Sequence, residues 1–201
     1  MTRSSLVGEI AILLLAAGSS SRLGHSKQLL KVNNIPLLTS SVMAAIESDA
    51  HKVVVVLGAN EVAHRNLIYH LPVEIVYNPT WQKGMGNSLK VGLTHLTKGT
   101  HHLAAIIIMV CDQPLITSSH LKRLIQKFKD TKSPIVASYY SGMAGVPSLF
   151  DNSNFSNLLA LGDEEGAKKI IQQKMELVKT IDFQEGAIDI DTDQDLEEFI
   201  S

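Results

Sequence analysis

Two runs in this chain, VVVVLG at 53–58 and AAIIIMV at 104–110, are apolar at every position up to their last residue or closing glycine. A strand with one wet face alternates polar and apolar residues. Runs without alternation belong to strands covered on both faces, the situation of the central strands of a parallel sheet. Further short apolar runs mark strands at Ile10–Leu15, Glu74–Tyr77 and Ile135–Tyr139, beside Val53–Leu57 and Ala104–Val110, with later ones at Leu177–Ile181 and Ala187–Ile190. Between them lie amphipathic stretches. Leu38, Val42 and Ile46 recur every fourth residue, and Leu121, Leu124, Ile125 and Phe128 form one stripe. NSLKVGLTHL, Asn154–Leu161 and EEGAKKIIQQK read as further helices, and DQDLEEFI as a closing helix with Asp193 as its N-cap. Strands alternating with helices predict βαβ units and a mainly parallel sheet. A length of 201 residues fits one domain, and 45% hydrophobic residues suffice for a sizeable core.

Charge excludes some functions. With 20 acidic and 18 basic residues the near balance argues against a nucleic-acid binder working by a broad basic face, so any phosphate ligand is expected to be met by a few placed cations. The single cysteine, Cys111, forms no intrachain disulfide and suits a reducing compartment; a buried strand-end position is its simplest reading. The apolar stretch Ile10–Ala17 continues into a globular pattern rather than an export signal, and no run approaches the roughly 20 residues of a membrane span. A cytoplasmic protein without a membrane partner is the expectation.

In open α/β sheets, ligands bind beyond the carboxyl ends of the strands. The segments with unusual chemistry fall there: the loop after the first strand, Gly84–Ser88, and Cys111-Asp112-Gln113-Pro114. In LLLAAGSSSRLGHSKQLL (13–30), glycine lets backbone N–H groups converge on an anion and serines add hydroxyl donors. Arg22 adds a fork of donors and Lys27 a point charge. The set suits a polyphosphate. Neither familiar phosphate loop fits, because Gly18 and Gly24 are separated by five residues and His25 follows Gly24. Asp112 is a candidate Mg²⁺ ligand, since that ion takes oxygen ligands and often only one or two carboxylates plus substrate phosphates; Asp189 or Asp191 offers a second carboxylate. His51, His64, His70, His95, His101, His102 and His120 read as solvated residues, His25 as a variable loop position without a role, and Trp81 as a packing residue.

LAAGSSSRLGHSKQLL resembles the signature L-A-A-G-x-S-x-R-x-G-x-x-K-x-L of the nucleotidyltransferases with a glycosyltransferase-A-like Rossmann fold. Leu15, Ala16, Ala17, Gly18, Ser20, Arg22, Gly24, Lys27 and Leu29 fill its fixed positions. NPTWQKGMGNSLKVGL resembles the family's N-x-x-W-x-x-G-M-x-x-S-L-x-x-G-L, and VCDQPLIT its C-D-Q-P stretch. LGDEEGAKKII is similar to G-D-x-G-A-[RK]-x-[IL]-[IL] with one extra residue between Asp163 and Gly166, and DIDTDQDL to the D-[IV]-D-T-P-E-D-L tail with Asp193 in place of proline. GMAGVPSLF (142–150) resembles a G-H-P-[VL]-[LF] region but carries Val146 where histidine is frequent. The likeness spans most of the chain and is nearest to the molybdenum-cofactor cytidylyltransferase branch of the MobA-like NTP transferases.

That resemblance implies a single three-layer α/β/α Rossmann-like nucleotidyltransferase domain over 1–201. Its donor-nucleotide half covers about residues 1–115 and its acceptor half about 116–201. It implies transfer of CMP from CTP to a molybdopterin-type acceptor with release of pyrophosphate, with Mg²⁺ as cofactor and a molybdenum hydroxylase as the partner receiving the product. It also implies roles: Leu15, Ala16, Ala17, Gly18, Ser19, Ser20, Arg22 and Lys27 around the phosphates, Gly84 and Ser88 by the cytosine or ribose, Asp112 and Asp191 on the metal, and Gly145, Pro147, Gly162 and Asp163 toward the acceptor. Arg22, Lys27 and Asp112 would carry catalysis; a phosphate nucleophile is already anionic and needs no general base. The alternatives are a nucleotidyltransferase acting on a sugar or alcohol phosphate, a non-catalytic nucleotide-binding regulator, and a Rossmann oxidoreductase, which the missing glycine fingerprint disfavours.

Overall fold

The computed structural model describes residues 8–20, 26–99, 102–190, 194, 195 and 199. Its strands are β1 (Glu9–Ala16), β2 (Lys31–Val32), β3 (Ile35–Pro36), β4 (Lys52–Leu57), β5 (Glu74–Tyr77), β6 (Leu103–Val110), β7 (Ile135–Tyr140), β8 (Met143–Asp151) and β9 (Val178–Asp182). Its helices are α1 (Leu37–Ile46), α2 (Glu61–Ile68), α3 (Met85–Gly99), α4 (Ser118–Thr131), α5 (Phe155–Leu159) and α6 (Lys168–Gln173). Seven strands form one sheet in the order β5-β4-β1-β6-β8-β7-β9, while β2 and β3 pair apart from it. Only β8 runs against its neighbours, so the sheet is mixed and mostly parallel.

The period of two along β1 sorts its residues between two cores. Ile10, Ile12, Leu14 and Ala16 pack with Leu38 and Val42 of α1, Ile68 of α2, and Leu121 and Leu124 of α4. Ala11, Leu13 and Leu15, with Ala17 just past the strand, pack with Leu89, Leu93 and Leu96 of α3, Leu158 of α5, and Ile170 and Ile171 of α6. Helices therefore cover both faces, which is why β1, β4 and β6 could discard alternation. Each fully buried aliphatic side chain there contributes about 1.5–3 kcal/mol.

The sheet also sets where a ligand binds. From β1 the chain builds outward through β4 to β5, then returns to β1's other flank with β6, so the strand order reverses between β1 and β6. Such a switch point opens a crevice at the carboxyl ends. Leu15 pairs with Val110, which brings the loop after β1 beside the residues that follow β6.

Three features depart from the sequence-based expectation. Met143–Asp151 is a strand, a reading obscured by Pro147, which lacks a ladder N–H. The register of β8 against β7 jumps from Ser148↔Ala137 to Gly145↔Ser138, and its pairing with β6 stops at Ser148, so Pro147 sits in a bulge with no ladder bond to give. Ala187–Ile190 is not a strand: a 3₁₀ turn spans Gln184–Ala187, and Ile190 N–H goes to the Asp112 carbonyl at 3.0 Å instead of to a neighbouring strand. The helix in EEGAKKIIQQK starts only at Lys168, because Glu165 turns back to accept from Gly162 N–H (2.7 Å). Residues 194, 195 and 199 are helical; Asp193, the expected cap, lies outside the described residues.

Candidate active site

A cavity of about 340 Å³ opens in the crevice between β1 and β6, lined by Leu15, Ala16, Gly18, Ser19, Ser20, Lys27, Gln28, Met85, Val110, Cys111 and Asp112. Beside it, sharing Leu15, Gly18, Ser19 and Met85, a second cavity of about 280 Å³ is lined further by Ala17, Trp81, Gln82, Gly84 and Ser88. The predicted phosphate loop, the predicted metal aspartate and the predicted base- or ribose-binding segment thus surround one continuous region. Lys27 and Asp112 are 85 positions apart in sequence, yet Lys27 Nζ lies 3.2 Å from Asp112 Oδ2. Asp112 Oδ1 is buried and has no hydrogen-bond partner among the described residues. A buried carboxylate oxygen without a donor is costly. It is the kind of ligand Mg²⁺ takes, so the residues present fit that ion. Among the described residues no group of three His, Cys, Asp or Glu could hold a metal.

Charge must be presented on a fixed loop, and a buried side chain the sequence reading passed over ties this one down. Gln28 Nε2 donates to the carbonyls of Ala16 (3.3 Å) and Gly18 (3.1 Å). Its Oε1 accepts from the hydroxyls of Ser20 (3.2 Å) and Ser26 (2.7 Å). Ser20, at φ 54°, also accepts from Lys27 N–H at 3.0 Å. The one signal for Gln28 was a carboxamide in the otherwise apolar run after Lys27. Gly18 is exposed, and a Cβ built on it meets nothing within 4 Å: the backbone here faces open space rather than protein. Arg22, Gly24 and His25 lie outside the described residues.

Asn78 is a second carboxamide brace. Its N–H₂ donates to Asn87 Oδ1 and Ser88 Oγ, both at 3.0 Å, and its Oδ1 accepts from Thr80. Ser88, expected near the nucleotide or at a helix start, is both buried in the first turns of α3 and part of the cavity wall. Trp81 packs against the core on the α3 face while lining the same cavity.

Gly84 and Gly86 have a demonstrable reason. Gly84 sits at φ 118°, and Cβ atoms on the two glycines would lie 2.6 Å from Asp163 O and 2.1 Å from Gly162 O. The segment 162–165 therefore rests on the start of α3. Asn87 N–H donates to Asp163 O at 3.1 Å, Lys90 Nζ reaches Leu161 O at 3.1 Å, and Lys90 pairs with Asp163 Oδ1 at 2.5 Å. The hydrogen bond from Lys90 holds the Asp163 carboxyl below its ordinary range. Gly162 and Asp163 line neither cavity; they buttress the wall of the second one.

Gly145 and Pro147, on β8, also line neither cavity. They connect to Asp112 through Tyr140, whose hydroxyl donates to Val146 O (2.9 Å) and accepts from Gln113 Nε2 (3.2 Å); Gln113 also donates to Gly186 O at 2.8 Å. Burial raises the Tyr140 phenol pKa, and the charges of Asp189 and Asp112 add to that rise against the Gln113 bond. Asp189 thus comes within electrostatic reach of the same tyrosine as Asp112, and Ile190 bonds directly to the Asp112 carbonyl. The chain segment carrying Asp189 converges on Asp112; Asp191 itself lies outside the described residues.

Cys111 is buried just past β6, its thiol pushed up to about 12 by burial and by Asp112. Two histidines expected in solvent are instead buried, His64 and His120. His51, His70, His95 and His102 are exposed as expected, and His101 lies outside the described residues. No described helix is long and apolar enough to cross a membrane.

Known proteins resemble this chain in sequence and in fold. The chain is 29% identical over 190 residues to nicotine blue oxidoreductase from Paenarthrobacter nicotinovorans, covering 90% of each protein. It is 25% identical over 175 residues to the purine catabolism protein PucB of Bacillus subtilis (strain 168), covering 80% of this chain and 79% of that one. The crystal structure of Rv0371c from Mycobacterium tuberculosis H37Rv matches with a TM-score of 0.82 at 25% identity, over 96% of this chain and 98% of that one. A structure of that protein complexed with manganese matches with a TM-score of 0.80 at 23% identity over the same shares. A model of the MobA-like NTP transferase domain matches residues 12–179. With the glycine- and serine-rich loop after β1 and the aspartate after β6 both inside that span, the chain belongs to the MobA-like NTP transferase family.

Proposed function

We propose that this protein is a Mg²⁺-dependent cytidylyltransferase that moves CMP from CTP to a molybdopterin-type phosphate acceptor, acting as one domain with the donor nucleotide held by the first half of the chain. The observation that carries the reading is the Lys27–Asp112 pair at 3.2 Å inside a cavity walled by the loop Gly18–Ser20, with a second, unpartnered Asp112 oxygen beside it. An oxygen of the acceptor phosphate attacks the α-phosphorus of CTP. The bond from that phosphorus to the bridging oxygen of the β-phosphate breaks, and pyrophosphate leaves with the electron pair. The loop N–H groups, with Arg22, hold the β- and γ-phosphates, and Lys27 exchanges Asp112 for a phosphate oxygen near the reacting centre. Asp112, with Asp191 or Asp189, holds Mg²⁺, which neutralises phosphate charge when bound. The protein's share is orientation and charge balance. Gly84 and Ser88 lie by the base or ribose; Gly145 and Pro147 belong to the acceptor side, and Gly162 and Asp163 serve that side from behind the wall they brace.

Support for the cytidylyl and molybdenum-cofactor assignment comes from the Leu15-Ala16-Ala17-Gly18 and Cys111-Asp112-Gln113-Pro114 motifs. Support for the divalent ion comes from the manganese complex of Rv0371c. A cytoplasmic location and delivery of the product to a molybdenum hydroxylase follow from the same reading. The redox name of the P. nicotinovorans relative is weighed by including a nicotinamide arm in the test. Pyrophosphate release is measured with each of the four ribonucleoside triphosphates, with no acceptor, a molybdopterin-type acceptor or a sugar phosphate, before and after chelation, and oxidation of a reduced nicotinamide is followed in parallel. Release only with CTP, acceptor and Mg²⁺ together is the expected result. Preference for GTP would overturn the cytidylyl assignment. Release with a sugar phosphate instead would move the acceptor class, and nicotinamide oxidation without pyrophosphate release would overturn transfer altogether.

A further inference from the structure

His64, on α2, is wholly buried, and its Nε2 lies 2.5 Å from Ser26 Oγ. Ser26 directly precedes Lys27 and is itself 5% exposed. The direction of each hydrogen bond in this cluster follows from counting protons. Gln28 Nε2 spends both hydrogens on the carbonyls of Ala16 and Gly18, which fixes the amide's orientation and turns its Oε1, an acceptor, toward Ser26. Ser26 has one hydroxyl hydrogen and gives it to that Oε1 at 2.7 Å. Ser26 Oγ must then accept from His64, so the imidazole carries its hydrogen on Nε2. Nδ1 is left as a buried lone pair with no partner among the described residues. Burial also disfavours the charged imidazole, acting against the nearby Glu61. Every proton in the chain His64 → Ser26 → Gln28 → Ala16 and Gly18 thus has one direction.

From this geometry we infer that His64 is a positioning residue for the triphosphate loop: through Ser26 and Gln28 it ties helix α2, which follows β4, to both ends of the loop carrying Ser20 and Lys27. The inference rests on the reading of residues 15–28 as the triphosphate site. It concerns how that loop is held rather than what it binds, since His64 lines neither cavity of the site. Removing the His64 donor leaves Ser26 free to rotate its hydroxyl away from Gln28. The amide of Gln28 then holds the loop by one fewer acceptor bond, and Lys27 loses the fixed neighbour that sets its backbone.

The test uses Ser26→Ala, His64→Leu and His64→Gln, the last keeping an N–H donor at the position of Nε2. Amide hydrogen exchange without ligand is read at Lys27, whose N–H is bonded to Ser20 Oγ, and at Ala59, whose N–H is bonded to Ala17 O at 3.0 Å. CTP binding with Mg²⁺ is read by titration, and kcat and KM by pyrophosphate release. One network hydrogen bond corresponds to about a tenfold effect. Ser26→Ala and His64→Leu should raise exchange at Lys27 about tenfold, leave the amides of β1 and β6 protected, and weaken CTP binding by a similar factor. KM should change more than kcat, and His64→Gln should restore both readouts. Unchanged exchange in Ser26→Ala, which leaves α2 packing intact, overturns the inference; so does a His64→Gln protein that behaves like His64→Leu. If the wild-type protein binds no nucleoside triphosphate, the functional reading falls, while the exchange arm still decides whether His64 holds the loop.

Discussion

His120 should make the fold lose stability in mild acid by a calculable amount. Its ring is buried on α4, stacked on Phe183 with centroids 4.0 Å apart and planes at 19°. Nε2 lies 2.7 Å from Ser138 Oγ, whose own hydrogen goes to Pro147 O at 2.6 Å, so the imidazole is the donor and Nδ1 is left buried without a partner. A second proton would have to sit on that Nδ1. Burial, with the positive charge of Arg123 adding to it, lowers the pKa from 6.5 to about 4. Above pH 6.5 the ring is neutral in folded and unfolded chains alike. Between 6.5 and 4 the unfolded chain binds a proton that the folded one refuses, so stability falls as pH falls. The slope approaches about 1.4 kcal/mol per pH unit, and the full gap amounts to about 3 kcal/mol. From pH 7 to pH 5 this single group should remove about 2 kcal/mol. Urea unfolding of the wild type and of His120→Gln, which keeps a donor but cannot titrate, measures it at pH 7, 6 and 5. The stability difference between the two should shift by about 2 kcal/mol in favour of the variant at pH 5. Other groups, His64 included, titrate in both proteins and cancel. Parallel pH profiles for the two proteins would refute the argument.

Asp112→Ala and Lys27→Ala should remain folded and lose about 10²–10³ in turnover, the scale for removing one group that neutralises transition-state charge; near-normal incorporation of label from CTP by either removes its assignment. Gly18→Ala should leave the urea midpoint unchanged, because its new Cβ meets no protein atom within 4 Å, and should raise the KM for CTP; an unchanged KM would separate Gly18 from the ligand. Gly86→Ala drives a methyl against the carbonyls of Gly162 and Glu165, 2.1 and 2.6 Å from the new carbon. It should destabilise by about 1–3 kcal/mol in urea and free the Lys90–Asp163 contact, and an unperturbed midpoint would contradict the close docking of 162–165 on α3.

Much of the fold was legible because burial leaves a one-dimensional trace. VVVVL and AAIIIMV lie on the covered strands β4 and β6, and the stripe Leu121, Leu124, Ile125, Phe128 is the buried face of α4. The loop after β1 and the turn after β6 were legible as chemistry because charged and small residues there interrupt an apolar run. The reversed strand β8 was hidden by Pro147, whose lost donor matters only if a ladder needs it, and the bulge against β7 removes that need. The turn at Gln184–Ala187 was hidden because Ile188 and Ile190 read as an apolar alternation whatever their N–H groups bond to.

By itself, then, the order of residues determined which segments are strands covered on both faces and which loops carry cations, glycines and carboxylates, because hydrophobic periodicity is local. Only the tertiary structure decided that Lys27 meets Asp112, that Gln28 and His64 hold one loop from two elements, and that His64 and His120 are buried donors rather than solvated bases. The partner of a polar side chain is chosen across space by the register of β1 against β6 and the packing of α2 and α4, and no spacing along the chain records that choice.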